Sequence, residues 1–185
     1  MPPPSPAQPS DVSHVLVSAA QIRERVGKLA RQISTDYRQA QPLLLVGILR
    51  GAFIFLADLT RELSVTHAVD FMALSSYGKH ASQGEVRIVM DLREPIEGKH
   101  VLIVEDIIDS GRTLDYLHRL LQARQPESLR TCVMVRKQRH SLDVPIDYLG
   151  FEIPDVWAVG YGLDYGDRYR TLPCIAELKG LPGAK

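Results

Sequence analysis

Three carboxylates, Glu105, Asp106 and Asp109, fall close together in the stretch VLIVEDIIDSGRTL, residues 101–114. Directly after them comes a run of small and polar residues, Ser110, Gly111, Arg112 and Thr113. An acidic pair can hold a ribose diol or a metal ion. A small-residue turn that opens a helix presents backbone N–H groups and a helix N-terminus, which suit a phosphate. A phosphorylated sugar satisfies both halves at once. Two other readings fit the same pattern: solvated loop acids with no ligand, and the paired aspartates with which receiver-type domains hold Mg²⁺. No GxxxxGK[ST] occurs in the chain, which disfavours a Walker A nucleotide loop.

Such a site needs a strand before it and a helix behind it. Val101, Leu102, Ile103 and Val104 predict a strand buried on both faces that stops at the acidic pair. Leu114, Leu117, Leu120 and Leu121 then mark a helix. The order repeats upstream, where PLLLVGIL (42–49) reads as a buried strand, Leu49, Arg50 and Gly51 as a turn, and 53–63 as a helix. Arg50 puts a cation at the carboxyl edge of the sheet, and Gly51 permits close approach of a ligand; alone, this is also an ordinary turn with an exposed arginine. HAVDFMAL (67–74), EVRIVMDL (85–92) and SLRTCVMV (128–135) predict further strands. A short apolar strand follows at 174–176, and a helix capped by Ser18 is expected from 18 to about 40, with Ile22, Val26, Leu29, Ala30 and Ile33 as its apolar stripe. Strands alternating with helices predict a doubly wound, mainly parallel α/β sheet flanked by helices.

Composition narrows the classes. Lys+Arg and Asp+Glu both number 22, so zero net charge offers no general pull towards nucleic acid or an anionic membrane. Cys132 and Cys174 fit no metal spacing and read as buried free thiols of a reducing compartment. No apolar run reaches membrane-spanning length and no secretory signal is visible, so the expected location is cytoplasmic. Residues 1–13 are Pro/Ser-rich and read as a disordered tail, leaving 14–185 as a single domain.

The string 101–114 closely resembles the phosphoribosyl-diphosphate (PRPP) motif of the purine phosphoribosyltransferases, and within them the hypoxanthine-guanine branch. A second string, GFEIPD (150–155) followed by VGYGLDY (159–165), resembles the same branch, and the likeness runs in order over 42–173. It implies a type I phosphoribosyltransferase fold with a small hood built from the C-terminal strands and residues near the N-terminus. The implied reaction moves the 5-phosphoribosyl group from PRPP to N9 of hypoxanthine or guanine, with Mg²⁺. Carried over residue by residue, Glu105 and Asp106 would hold the ribose hydroxyls, directly or through metal. Asp109 would be the acid/base at purine N7, and residues 110–113 would bind the 5′-phosphate. Leu49, Arg50 and Gly51 would form the pyrophosphate loop, with a non-proline cis peptide between the first two, joined by Arg170. Ser76 and Tyr77 would start a mobile loop over the reacting centre. Trp157 and Ala158 would sit at the purine, and Asp164 would be a further Mg²⁺ ligand. A lysine should reach the exocyclic oxygen of the base; register favours position 136, an arginine, while residue type favours Lys137, so both stay open. Family analogy implies a dimer or tetramer, with small-molecule substrates and neither nucleic acid nor membrane as partner. A PRPP- or nucleotide-sensing regulator on the same fold, binding nucleic acid, is the alternative.

Overall fold

The runs that read as buried strands do form the centre of the molecule. In the computed structural model, which describes residues 11–40, 42–76, 86–109, 111–138 and 145–179, the elements follow in this order. They are β1 (Val12–Val17), α1 (Ala19–Asp36), β2 (Leu43–Leu49), α2 (Phe53–Glu62), β3 (His67–Ser76) and β4 (Val86–Met90). Next come β5 (His100–Ile108), α3 (Arg112–Gln122), β6 (Ser128–Lys137), β7 (Tyr148–Ile153), β8 (Ala158–Val159) and β9 (Ile175–Leu178).

Six strands line up as β4-β3-β2-β5-β6-β7, parallel throughout except for the antiparallel edge strand β4. Successive side chains of β2 serve opposite faces, as a pleated strand requires. Leu43 and Leu45 pack with Ile22, Leu29 and Ile33 of α1 and with Phe55 and Leu59 of α2. Leu44, Val46 and Ile48 pack with Leu114, Leu117 and Leu121 of α3. Both faces are therefore covered by helices, which is why β2 contains no polar residue. The chain leaves β2 towards β3 on one side and leaves β5 towards β6 on the other. The carboxyl ends of β2 and β5 thus flank the point where strand order reverses, the place where open α/β sheets form their binding crevice.

Several local expectations need adjustment. β5 does not stop at Val104: it continues through Glu105 and Asp106 to Ile108, because β6 runs alongside it as far as the Ile108–Arg136 pair. The acidic pair therefore belongs to a strand and takes its rigidity. α1 is capped by Ser18, whose hydroxyl accepts from the Gln21 N–H while the Gln21 side chain accepts from the Ser18 N–H, but it ends at Asp36 rather than near 40. β1 was not expected; it begins at Val12, inside the segment read as tail, whose residues 1–10 lie outside the described residues.

β1, β9 and β8 make a second, antiparallel sheet. Val12 pairs with Leu178 and Val17 with Ile175, so the start and end of the described chain share one small sheet. Val12, Val159, Cys174, Ala176 and Leu178 form its interior, with Trp157, Tyr169 and Leu172 packed against it. Val17, Ala158, Tyr161 and Ile175 join the main core, so the small sheet seats on the large one. Among the described residues no helix is long and apolar enough to cross a membrane.

Leu117 is fully buried under the sheet and carries α3. Truncation to alanine should cost about 2–5 kcal/mol of unfolding free energy, read from denaturant titration. The same change at the exposed Arg112 should move it by less than about 0.5 kcal/mol.

Candidate active site

At the switch point two turns meet at atomic contact. β2 runs into a cis peptide between Leu49 and Arg50, as the resemblance implied. The next residue, Gly51, lies directly against the Asp106 carboxylate: a Cβ there would stand 1.7 Å from Oδ2. A side chain there would push the acid from its present position. From the other side the segment after β8 closes in. Gly162, at φ +101°, approaches so tightly that a Cβ would stand 2.0 Å from the Gly51 carbonyl oxygen. These walls enclose a cavity of about 430 Å³ lined in part by Leu49, Arg50, Gly51, Asp106, Asp164 and Arg170.

Charge in this cavity is organised by Arg170. Its guanidinium donates to the Gly162 carbonyl at 2.7 Å and pairs with Asp164 at 2.7 Å and Asp167 at 3.0 Å. Arg50 reaches Asp167 from the opposite wall at 3.2 Å. Beneath them the acidic pair is costly to ionise. Burial pushes the Asp106 carboxyl up to about 6, opposed by N–H donors of residues 106 and 107 and by Arg170, and reinforced by Asp164. Glu105 is raised well above the ordinary carboxylate range, first by burial and then by the Asp106 charge. Its Oε2 is buried without a hydrogen-bond partner. Such atoms call for a hydroxyl or a cation.

A second group forms a few residues on. Lys137 at the end of β6 is only 4% exposed, and its ammonium stands 3.4 Å from Asp109 Oδ2 and 3.5 Å from Asp155 Oδ1. It also lies 5.8 Å from the centre of the Trp157 ring, which meets Tyr165 edge-on at 5.7 Å. Arg136 is not part of this group. It pairs across the sheet with Glu152 of β7 and is partly exposed. Of the two residues left open by sequence, Lys137 is thus the one gathered with Asp109 and Trp157.

The remaining candidates are spread more loosely. Gly111 caps α3 in the left-handed conformation at φ +74°, and Arg112 and Thr113 lie exposed in the first helical turn beyond the acids. Ala158 is buried, so its side chain serves the core. Ser76 ends β3, while Tyr77 and Ser110 lie outside the described residues. Sequence reasoning passed over Asp155, Gly162, Tyr165 and Asp167. Asp155 stood inside a quoted string without a role, and Asp167 looked like any solvated loop acid.

Among the described residues no group of three or more His, Cys, Asp or Glu side chains is arranged to hold a metal ion. Asp106 and Asp164 nevertheless line one cavity and feel each other's charge. Mg²⁺ is commonly bound by one or two carboxylates together with substrate phosphates, so this pair fits an ion that arrives with a diphosphate.

Comparison with known proteins gives a consistent picture. The phosphoribosyl transferase domain family matches residues 16–166. A hypoxanthine-guanine phosphoribosyltransferase of Dictyostelium discoideum is 49% identical over 170 residues, covering 89% of this chain and 94% of that protein. A hypoxanthine phosphoribosyltransferase of Escherichia coli K12 is 48% identical over 167 residues, with the same coverage, 89% and 94%. The Trypanosoma cruzi hypoxanthine phosphoribosyltransferase, solved with the product IMP, superposes with a TM-score of 0.86 at 39% identity, covering 95% of this chain and 98% of that one.

The raised Asp106 carboxyl has a measurable consequence. Between its ordinary value of 3.8 and about 6 the folded chain keeps a proton that the unfolded chain has released. The Asp106 contribution to folded stability therefore falls as pH rises through that window. Asp106→Asn cannot ionise. Without metal, the thermal midpoint of the variant minus that of the parent should rise between about pH 4 and 6. A difference independent of pH would contradict the assignment.

Proposed function

This chain belongs to the phosphoribosyl transferase domain family, in its hypoxanthine-guanine branch, and from that premise we infer how its own residues carry the reaction. It is a purine salvage transferase, moving the 5-phosphoribosyl group from PRPP to N9 of hypoxanthine or guanine and releasing pyrophosphate. One observation supports the assignment of roles most strongly. The Asp106–Gly51–Arg170 cavity and the Asp109–Lys137–Trp157 group lie at adjacent strand ends of one sheet edge, as phosphoribosyl and base must at the moment of transfer.

In this reading Glu105 and Asp106 receive the ribose hydroxyls, whose donors satisfy the buried carboxylates. The N-terminus of α3, from Gly111 through Thr113, takes the 5′-phosphate with its backbone N–H groups. Leu49, Arg50 and Gly51 form the pyrophosphate wall, and Arg170 faces them. When bound, Mg²⁺ on Asp164 and Asp106 would neutralise charge on the diphosphate and ease its departure. As the C1′–O bond weakens, positive charge grows on the sugar, and the acidic pair beneath it favours that charge. Trp157 gives the purine an apolar face. Lys137 donates to its exocyclic oxygen, leaving Asp109 to exchange the proton at N7. The exchange is natural because Lys137 and Asp109 already face each other: the base enters between two groups that can each give up the other for it.

The free thiols Cys132 and Cys174 support a cytoplasmic location. Family analogy implies a dimer or tetramer, and the exposed Phe53 at the start of α2 is available to such an interface. The alternative reading as a nucleic-acid-binding regulator has no finding in its favour.

A coupled assay of pyrophosphate release with PRPP, Mg²⁺ and each of hypoxanthine, guanine, xanthine and adenine tests these roles. Turnover is expected with the first two, and Asp109→Ala should lower kcat by about 10²–10⁴-fold. Lys137→Ala should raise KM for the base and leave that for PRPP nearly unchanged, while Arg136→Ala should behave like the parent. Loss of base affinity in Arg136→Ala instead would reverse the assignment.

A further inference from the structure

We propose that Asp167 is a positioning residue for the diphosphate. Its carboxylate ties the pyrophosphate loop to the hood by bridging Arg50 and Arg170. This rests on the reading of that cavity given above. The bridge is direct: Asp167 accepts from Arg50 at 3.2 Å and from Arg170 at 3.0 Å, so one carboxylate sits between two guanidiniums. The arginines belong to different walls, one to the turn after β2 and one to the segment after β8.

The turn that carries Asp167 is built to present it. Tyr165 and Arg168 exchange backbone hydrogen bonds at 3.3 and 3.2 Å, and the two residues between them, Gly166 and Asp167, both have positive φ, +59° and +62°. Left-handed conformation at both central positions is the requirement of a tight I′ turn, met here by glycine and by aspartate, one of the side chains that tolerates it. The Asp167 N–H donates to Asp164 Oδ2 at 2.8 Å, which fixes the turn to the same acid that pairs with Arg170. Backbone and side chain of Asp167 are thus both committed to the cavity wall.

Without the carboxylate the two guanidiniums would repel each other. Arg50, whose side chain is 70% exposed, would swing into solvent, whereas Arg170, at 18%, would stay. The defect would appear in affinity for the anion that both arginines meet. Exposed ion pairs are individually weak, so the effect is moderate and fades with salt.

The test compares steady-state kinetics of the parent, Asp167→Asn and Asp167→Glu, together with Arg50→Ala and the double variant, and calorimetric binding of inorganic pyrophosphate with Mg²⁺. Asparagine tolerates the same φ, so the turn survives while its charge is lost. Asp167→Asn should raise KM for PRPP about fivefold and weaken pyrophosphate binding in parallel, with kcat and the hypoxanthine KM near parent values. Asp167→Glu should recover part of the loss, and Asp167→Asn should add little once Arg50 is alanine. An unchanged PRPP KM, or equal loss for PRPP and hypoxanthine with a lowered thermal midpoint, would overturn the proposal. A parent that binds pyrophosphate but turns over no purine would instead refute the functional reading, and calorimetry of Asp167→Asn would still decide the bridge.

Discussion

The contact between the Asp106 carboxylate and the backbone of Gly51 is the constraint on which the rest depends. A carboxylate is held at the end of a buried strand with main chain pressed against it, and the chain pays in desolvation for the arrangement. Such an acid stays in place only because its neighbours leave it no room. β6 keeps β5 extended past it, β2 delivers the cis turn above it, and Gly162 closes the stack by resting on the Gly51 carbonyl. Two glycines, one with ordinary and one with left-handed backbone, are thus the spacers that set the width of the cavity.

The electrostatics divide along the same line. Around Glu105 and Asp106 the carboxyl groups are crowded, desolvated and raised, which makes a local environment poor in negative charge. Around Arg50 and Arg170 cations and acids interleave nearer the surface, where water screens them. Under the proposed roles the deep groups would set where the sugar sits and the shallow ones how readily the anion comes and goes. A site of this kind can hold one half of its substrate firmly while releasing the other.

Much of this was legible before any coordinates. Apolar runs marked β2, the first half of β5 and the Cys132–Val135 part of β6, because a strand covered on both faces favours apolar side chains on both. The stripe from Ile22 to Ile33 marked α1, and every member of it is buried. The length of β5 was not legible, since Glu105 and Asp106 look like the end of a strand and only the pairing with β6 carries them onward. β1 was missed because VSHVLV exposes its middle and is interrupted by register shifts, which erases the alternation that would announce it. The choice between Arg136 and Lys137 turns on where each side chain points at the end of β6. There the regular alternation breaks, with Met134 and Val135 both joining the same core. Asp155 and Asp167 lie on loops, where acidic residues are the usual solvent-facing choice, and only three-dimensional neighbours distinguish them.

The small sheet that roofs the site joins β1 to β9, with Lys179 donating to the Asp11 carbonyl at 2.8 Å just beyond the pairs. Those partners stand at opposite ends of the described chain. On a ribosome the first strand emerges with nothing to pair to and must wait while the whole parallel sheet is made. The roof is consequently the last piece of the molecule to be closed, since the entropic cost of bringing distant segments together is recovered only once everything between them is compact. A nascent chain can own a finished floor, with its acids and its turns in place, well before it owns a ceiling. A cavity wall that depends on the β8–β9 segment is thereby postponed until β9 has been made.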